Sequence, residues 1–343
     1  MTGSTTSSLH DIASRVYEPA ERLVSDLASI EGDLVVLGAA GKMGVSLGRM
    51  AASVFDRLPG HRQVYAVSRF SDPAARVELE DSGVRTISAD LLDDEALGSL
   101  PDAANVVYMV GRKFGTSFDA ATTWAVNSYL PGRVVRRYAG SRIAAFSSGN
   151  VYPLVPATSG GADETVIPGP IGEYAQSCLG RERVLTYHAE TTDTPLAIVR
   201  LNYAVDCRYG VLTDIVRAVE AGEPVDLATA AINVIWQGDA NRYALSALTL
   251  ASTPSTVLNV TGPETASVHW LATELGRRLG RDPLFVNEPS PTALLANAAQ
   301  CFGRFGYPSV SLSQMLDWTV AWLRDGGPLL DKPTHFAERN GRF

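Results

Sequence analysis

The chain has 343 residues, of which 45% are hydrophobic and 19% charged, ample material for one large core or two lobes and too apolar for a disordered chain. A net charge of -8 argues against nucleic-acid or anionic-membrane partners, because the basic patches that would neutralise phosphates are missing. Cys178, Cys207 and Cys301 stand too far apart for a disulfide framework or a clustered metal site, and the histidines are scattered, so no metal is expected and a reducing cytoplasm is.

Residues 1–6 are small and polar and are expected to be loose, without the basic start or apolar core of a signal peptide. No apolar run reaches the roughly 18 residues of a membrane span. Leu9, Ile12, Ala13, Val16, Ala20, Leu23, Val24 and Leu27 recur at helical spacing and predict a helix over 8–29. Leu34-Val35-Val36-Leu37 then predicts a buried strand that breaks into Gly38-Ala39-Ala40-Gly41-Lys42-Met43-Gly44. Gly38 permits a tight turn, Gly41 lets backbone approach a ligand, and Gly44 lets the next helix pack closely, with its N-terminus turned to a diphosphate. Residues 63–67 read as a second strand ending in Ser68-Arg69, which has no carboxylate to repel a 2′-phosphate and offers a guanidinium to pair with one. That favours NADP over NAD, with Asp72 turned back to serve NAD as the other option.

A third strand over 84–88 runs into Ala89-Asp90-Leu91 and a short acidic helix over 93–99. The fourth, over 105–110, is apolar on successive residues, as a strand covered on both faces should be, and ends in Gly111-Arg112-Lys113-Phe114-Gly115. A helix over 118–138 carries Asn127, and a fifth strand over 143–146 leads into Ser147-Ser148-Gly149-Asn150-Val151-Tyr152. Residues 154–172, rich in Pro, Gly, Ser and Thr, read as a loop over the crevice, before a helix over 173–190 that begins Glu173-Tyr174. A sixth strand spans 196–200, and beyond it the strict alternation stops: helix 210–221, strand 231–236, helix 240–252, strand 256–260, helices 267–280 and 311–326. The aromatic and basic tail Lys332-Pro333-Thr334-His335-Phe336 covers either the crevice or a partner subunit. The expected class is α/β, a Rossmann-like doubly wound parallel sheet with a smaller C-terminal substrate lobe. Its expected parts are an N-terminal helical extension (1–30), the dinucleotide-binding domain (31–203), an interleaved substrate lobe (204–330) and a tail (331–343).

In this order, the glycine turn, Asp90, Asn127, Ser147-Ser148-x-x-Val151-Tyr152, Tyr174 and Arg200-Leu201 with Asn202 resemble the extended short-chain dehydrogenase/reductase family, the group of sugar-nucleotide epimerases and dehydratases, over about 33–326. The resemblance implies a catalytic serine at Ser148, which hydrogen-bonds the reacting oxygen, and a proton-exchanging tyrosine at Tyr174, with Asn127 as a third member. It implies cofactor contacts at Gly38, Gly41, Lys42, Met43, Gly44, Ser68, Arg69, Asp90, Leu91, Gly111 and Tyr174, a sugar-like substrate, and a homodimer through helices 118–138 and 173–190. One departure stands out: the lysine expected four residues after the tyrosine is Cys178, read as a small, half-buried helix residue. Lys113 is the first candidate for the missing charge, with substrate phosphate as its other role, and Arg112 and Arg181 follow. The expected function is NAD(P)-dependent oxidoreduction or epimerisation at a hydroxyl or carbonyl carbon of a sugar or sugar-nucleotide. The competing one is a non-catalytic NAD(P)-binding sensor that lost its lysine.

Overall fold

The computed structural model describes residues 8–113, 115, 118–332 and 334–342. Residues 1–6, Phe114 of the second glycine turn and Pro333 of the tail lie outside the described residues. The expected leading helix is two helices, α1 (Leu9–Ser14) and α2 (Glu21–Ala28). Pro19 stands between them; it lacks an N–H and pushes the residue before it out of helical geometry, so the apolar periodicity continues across a break in the backbone. The two pieces serve different cores, Ile12 and Val16 in one and Leu23 and Leu27 in another.

Seven parallel strands make the central sheet: β1 (Leu34–Leu37), β2 (Val64–Ser68), β3 (Arg85–Ser88), β4 (Asn105–Tyr108), β5 (Arg142–Ser148), β6 (Leu196–Leu201) and β7 (Thr256–Val260). Their spatial order is β3-β2-β1-β4-β5-β6-β7. β1 is buried throughout because it is covered on both faces. Leu34 and Val36 point into the core shared with α2, α3 (Gly44–Phe55) and α10 (Gln237–Ser246), whereas Val35 and Leu37 point into the opposite core. Each such side chain contributes about 1.5–3 kcal/mol when fully buried. Between β2 and β4 lie α4 (Pro73–Glu80) and the short α5 (Asp94–Gly98).

The helix expected over 118–138 is continuous but widened in the middle. α6 (Ala120–Trp124) and α7 (Leu130–Arg137) are joined by a π turn, Ala125–Tyr129, in which the Leu130 N–H reaches back to Ala125 O. Pro131 in the first turn of α7 has no N–H to give to residue 127, which leaves the Asn127 carbonyl open to an outside donor. α8 (Gly172–Thr191) packs on this turn so closely that a Cβ on Gly180 would sit 2.7 Å from Ser128 Oγ.

Beyond β6, α9 (Val211–Ala221), α11 (Val268–Leu279) and α13 (Leu312–Arg324) close a core with Trp236, Leu271 and Leu316. The strand expected over 231–236 is two short pieces: Ala231–Ile232 runs antiparallel to Ala266–Ser267, and Ile235–Trp236 runs parallel to Ala204–Val205. α12 (Ala299–Phe305) has no counterpart in the sequence reading, and neither does the pairing of Val155–Pro156 with Thr292–Ala293. That pairing, with the Ala162 N–H to Leu295 O at 2.9 Å, ties the loop over 154–172 down against the C-terminal segments.

Candidate active site

At the glycine turn the three glycines do three different things. Gly38 has φ +88°, and a Cβ there would meet Val110 N at 2.9 Å, so both the turn and its packing on the chain after β4 exclude a side chain. A Cβ on Gly44 would meet Ala39 O at 2.5 Å, which makes the start of α3 inseparable from the turn. At Gly41 a Cβ would meet only Gly38 O, at 3.2 Å. The turn is therefore open on that side, the backbone cradle that a diphosphate at a helix N-terminus needs. Strand register sets the ends of β2, β3 and β4 beside it, since Leu37 pairs with Val67 and Tyr108, and Ser68 pairs with Ser88. Ser68, Arg69, Asp90, Leu91 and Gly111 thus share one edge. There Arg69 is exposed, Leu91 is a core residue, Asp90 accepts the Leu92 N–H at 3.0 Å, and Asp72 caps α4 through the Ala74 N–H. Met43 is buried beneath the turn.

Lys42 sends its amine away from the turn. It donates to Ala204 O at 2.9 Å and lies over the Tyr209 ring at 3.9 Å. The side chain stands between a cavity of about 560 Å³ beside Gly41, Asp72 and Arg208 and another of about 180 Å³ on the far side of Ala204 and Tyr209. Burial holds the Lys42 amine down to about 8, against partial recovery from Asp206.

The smaller cavity collects the catalytic candidates. Ser148, Tyr174 and Lys113 line it together, with Asn150, Asn202 and Tyr203. β5 runs two residues further than expected, so Ser147 and Ser148 pair with Arg200 and Leu201, and Ser148 becomes the last residue of the strand at the sheet's C-terminal edge. Tyr174 is in the first turn of α8, one helical turn before Cys178, and shares the cavity with Ser148, both of which influence its hydroxyl. Burial, with the neighbouring thiol, pushes the Tyr174 hydroxyl well up, against a smaller opposing pull from Arg181. Cys178 is wholly buried among Val151, Tyr152, Ala162 and Ala296 rather than half-buried, and burial pushes its thiol up. Lys113 stands 6.0 Å from the centre of the Tyr174 ring, donates to Thr334 O at 3.4 Å, and is held down to about 8 by burial.

Asn127 does not line the cavity. It is fully buried in the π turn, where Oδ1 accepts the Arg112 N–H at 2.8 Å and Nδ2 donates to Arg112 O at 2.9 Å and to Ser177 Oγ at 2.9 Å. It fastens the turn after β4, and with it Lys113, to α8. Arg181, only a secondary candidate from sequence, completes this joint. Its Nε takes the Asn127 carbonyl freed by Pro131 at 3.2 Å, Nη2 bonds Asn127 Oδ1 at 2.9 Å and Nη1 bonds Phe146 O at 2.9 Å. Gly111 is glycine for the same reason, because a Cβ there would meet Arg181 Nη2 at 2.8 Å. A second buried joint holds α8 to β6: Arg200 donates to both oxygens of Glu182 at 2.9 and 2.7 Å and to Tyr152 Oη at 2.8 Å, while Ser147 Oγ donates to Glu182 Oε1 at 2.6 Å.

One cavity feature, the backbone at Tyr203, escaped the sequence analysis. Tyr203 has φ +42°, a left-handed conformation that a bulky residue adopts only under constraint, and no local pattern announces it. The tail takes the first of its two expected positions, for Thr334, His335, Phe336, Glu338, Arg339 and Gly341 all line the cavity. Among the described residues no helix is long and apolar enough to cross a membrane, and no cluster of metal-ligating side chains occurs.

No family model matches the chain, and no curated protein matches it. Solved structures do share its fold. MoeE5 in complex with UDP-glucose and NAD is 20% identical, with a TM-score of 0.69 over 86% of this chain and 99% of that one. UDP-glucuronic acid 4-epimerase from Bacillus cereus, in complex with UDP-glucuronic acid and NAD, is 18% identical, with a TM-score of 0.69 over 85% and 99%. The Bordetella bronchiseptica enzyme WbmG in complex with NAD and UDP is 18% identical, with a TM-score of 0.70 over 88% and 96%. The fold of this chain, a seven-stranded parallel Rossmann-like sheet with its candidate residues on the C-terminal edge, is the fold of these three proteins.

Proposed function

We propose that this protein belongs to the extended short-chain dehydrogenase/reductase family and carries out nicotinamide-dependent hydride transfer at a hydroxyl or carbonyl carbon of a sugar-like substrate, by oxidoreduction or by epimerisation through a transient keto form. The observation that carries this reading is the convergence of Ser148, Tyr174 and Lys113 on one cavity, beside a glycine turn whose Gly41 is open to a diphosphate. The cofactor reading rests on Gly38, Gly41 and Gly44 for the diphosphate, on Ser68, Asp90 and Gly111 along the same edge, and on Tyr174 at the nicotinamide end. Bound there, the nicotinamide would supply the hydride chemistry. The fold-sharing structures hold NAD and Arg69 stands exposed, so the proposal is NAD in place of the NADP expected from Arg69.

The chain's own residues do the proton work. Tyr174 stays protonated at neutral pH, since burial raises its hydroxyl further. Its role is to give that proton to a substrate oxygen as negative charge develops there, with Ser148 hydrogen-bonding the same oxygen. This suits the reductive direction and needs no lysine at position 178. Lys113 supplies the positive charge from the turn after β4, while Asn127 and Arg181 act as positioning residues that hold this turn on α8. The segments after Asn202 are proposed as the substrate-selecting lobe. Exposed Trp124, Tyr129 and Tyr187 on the π-turn helix and α8 support a second copy docking on that face.

The test is Tyr174→Phe in the full chain, with NAD binding measured by calorimetry and turnover by nicotinamide absorbance across a panel of sugars. The expected result is NAD affinity within about threefold of wild type and turnover lower by about 10²–10⁴. Undiminished turnover would remove Tyr174 from the proton step, and an intact chain that binds NAD but turns over no substrate would favour the non-catalytic sensor.

A further inference from the structure

Resting on the hydride-transfer reading of this cavity, we propose that residues 334–341 are a fixed wall of the site that admits a ligand the size of a free sugar and shuts out a nucleoside diphosphate. The segment is fastened on both sides of the cavity. On one side, the Thr334 N–H and hydroxyl both donate to Asp214 Oδ2, at 2.9 and 2.6 Å, and Thr229 Oγ1 donates to Phe336 O at 3.0 Å. On the other, Arg339 donates to Thr292 O and to Thr292 Oγ1, both at 2.7 Å. The last contact admits no side chain at either partner. A Cβ on Gly341 would lie 2.2 Å from Ile171 O, and one on Gly172 would lie 2.3 Å from Gly341 O; both glycines have positive φ. A strap laid loosely over an opening needs no such pair of glycines at the start of the catalytic helix.

The wall also uses the donors that a diphosphate would need. Thr334 O sits on the Lys113 amine and Phe336 O on the Thr229 hydroxyl, so backbone carbonyls of the chain stand where phosphate oxygens would accept hydrogen bonds. What is left is about 180 Å³, below the roughly 300–1,000 Å³ of sites that hold drug-sized ligands. The fold-sharing structures hold UDP or UDP-sugars; the wall makes this chain's ligand the sugar-sized part without the nucleotide.

Calorimetric titration with UDP, the nucleoside-diphosphate probe, and separately with NAD, compares the intact chain, a chain ending at Asp331, and the full-length double variant Thr334→Val/Arg339→Ala. The expected result is NAD affinity within about threefold in all three, with UDP binding at least about 10-fold tighter to the shortened and double-variant chains than to the intact one. The double variant keeps the comparison meaningful if the shortened chain does not fold. UDP binding equally well to the intact and altered chains, or to none of them, would overturn the wall. Failure of NAD to bind the intact chain would overturn the hydride-transfer reading instead, and the UDP contrast would still report on the wall.

Discussion

Replacing Lys113 with methionine should make this protein more stable and less active. The Lys113 amine is partly buried at the cavity and is held at about 8, against an ordinary lysine value of 10.5, with burial as the main cause. At about 1.36 kcal/mol per pH unit, keeping the charge there at pH 7 costs about 3 kcal/mol. Methionine matches the length and flexibility of the stem and fills the space without a charge, but gives up the hydrogen bond to Thr334 O, worth about 1 kcal/mol. Lys113→Met should therefore unfold about 2 kcal/mol harder than wild type at pH 7. The difference must depend on pH with a definite sign. Below about 8 the folded and unfolded chains both hold the proton, and the cost is present in full. Between about 8 and 10.5 the folded chain releases it first, so wild type gains on the variant as pH rises, and above 10.5 the advantage of methionine is gone. Urea unfolding of both proteins at pH 7 and pH 10 measures this, and turnover should fall at least about 10-fold if the amine supplies the missing positive charge. A variant less stable than wild type at pH 7, or a gap that does not close by pH 10, would refute the reasoning.

Other substitutions separate roles that the motif alone runs together. Gly44→Ala should destabilise by about 1–3 kcal/mol, because its Cβ would press on Ala39 O, whereas Gly41→Ala, whose Cβ would meet only Gly38 O at 3.2 Å, should destabilise less than Gly44→Ala and weaken NAD binding about 10-fold, as calorimetry would show. Arg200→Met should cost about 3–5 kcal/mol in urea unfolding, since Glu182 would be left as a buried charge without its partner. Cys178→Ala should keep turnover within about threefold and lose about 1 kcal/mol of stability, as removal of a protonated, packed thiol predicts; a large loss of turnover would make the thiol a participant.

Much of the arrangement at the sheet's C-terminal edge was legible in the sequence. Val35 and Leu37 alternate with Leu34 and Val36 between two cores, so an unbroken apolar run at β1 reports a strand covered on both faces. The glycine spacing after it follows from backbone conformation, a local property, whereas Ser148 at the end of β5 and Tyr174 in the first turn of α8 were singled out by the resemblance to a family. The break at Pro19 is local too, and the apolar periodicity masked it. The seven-residue reach of β5 was hidden because Ser147 and Ser148 are polar and are strand only by virtue of pairing with Arg200 and Leu201.

The amino-acid sequence by itself determined the class of fold, the glycine turn and the identity of the residues on the sheet's C-terminal edge, because hydrophobic period, glycine conformation and proline geometry act over a few neighbouring residues. Only the tertiary structure decided that Asn127 faces Arg181 and Ser177 rather than the cavity, that Lys42 crosses to Ala204, and that the tail returns to Asp214, Thr229 and Thr292. These contacts join residues from 47 to 162 apart in the chain, the nearest pair being Thr292 with Arg339 and the farthest Lys42 with Ala204. Such contacts depend on where whole elements pack, and no local preference encodes that.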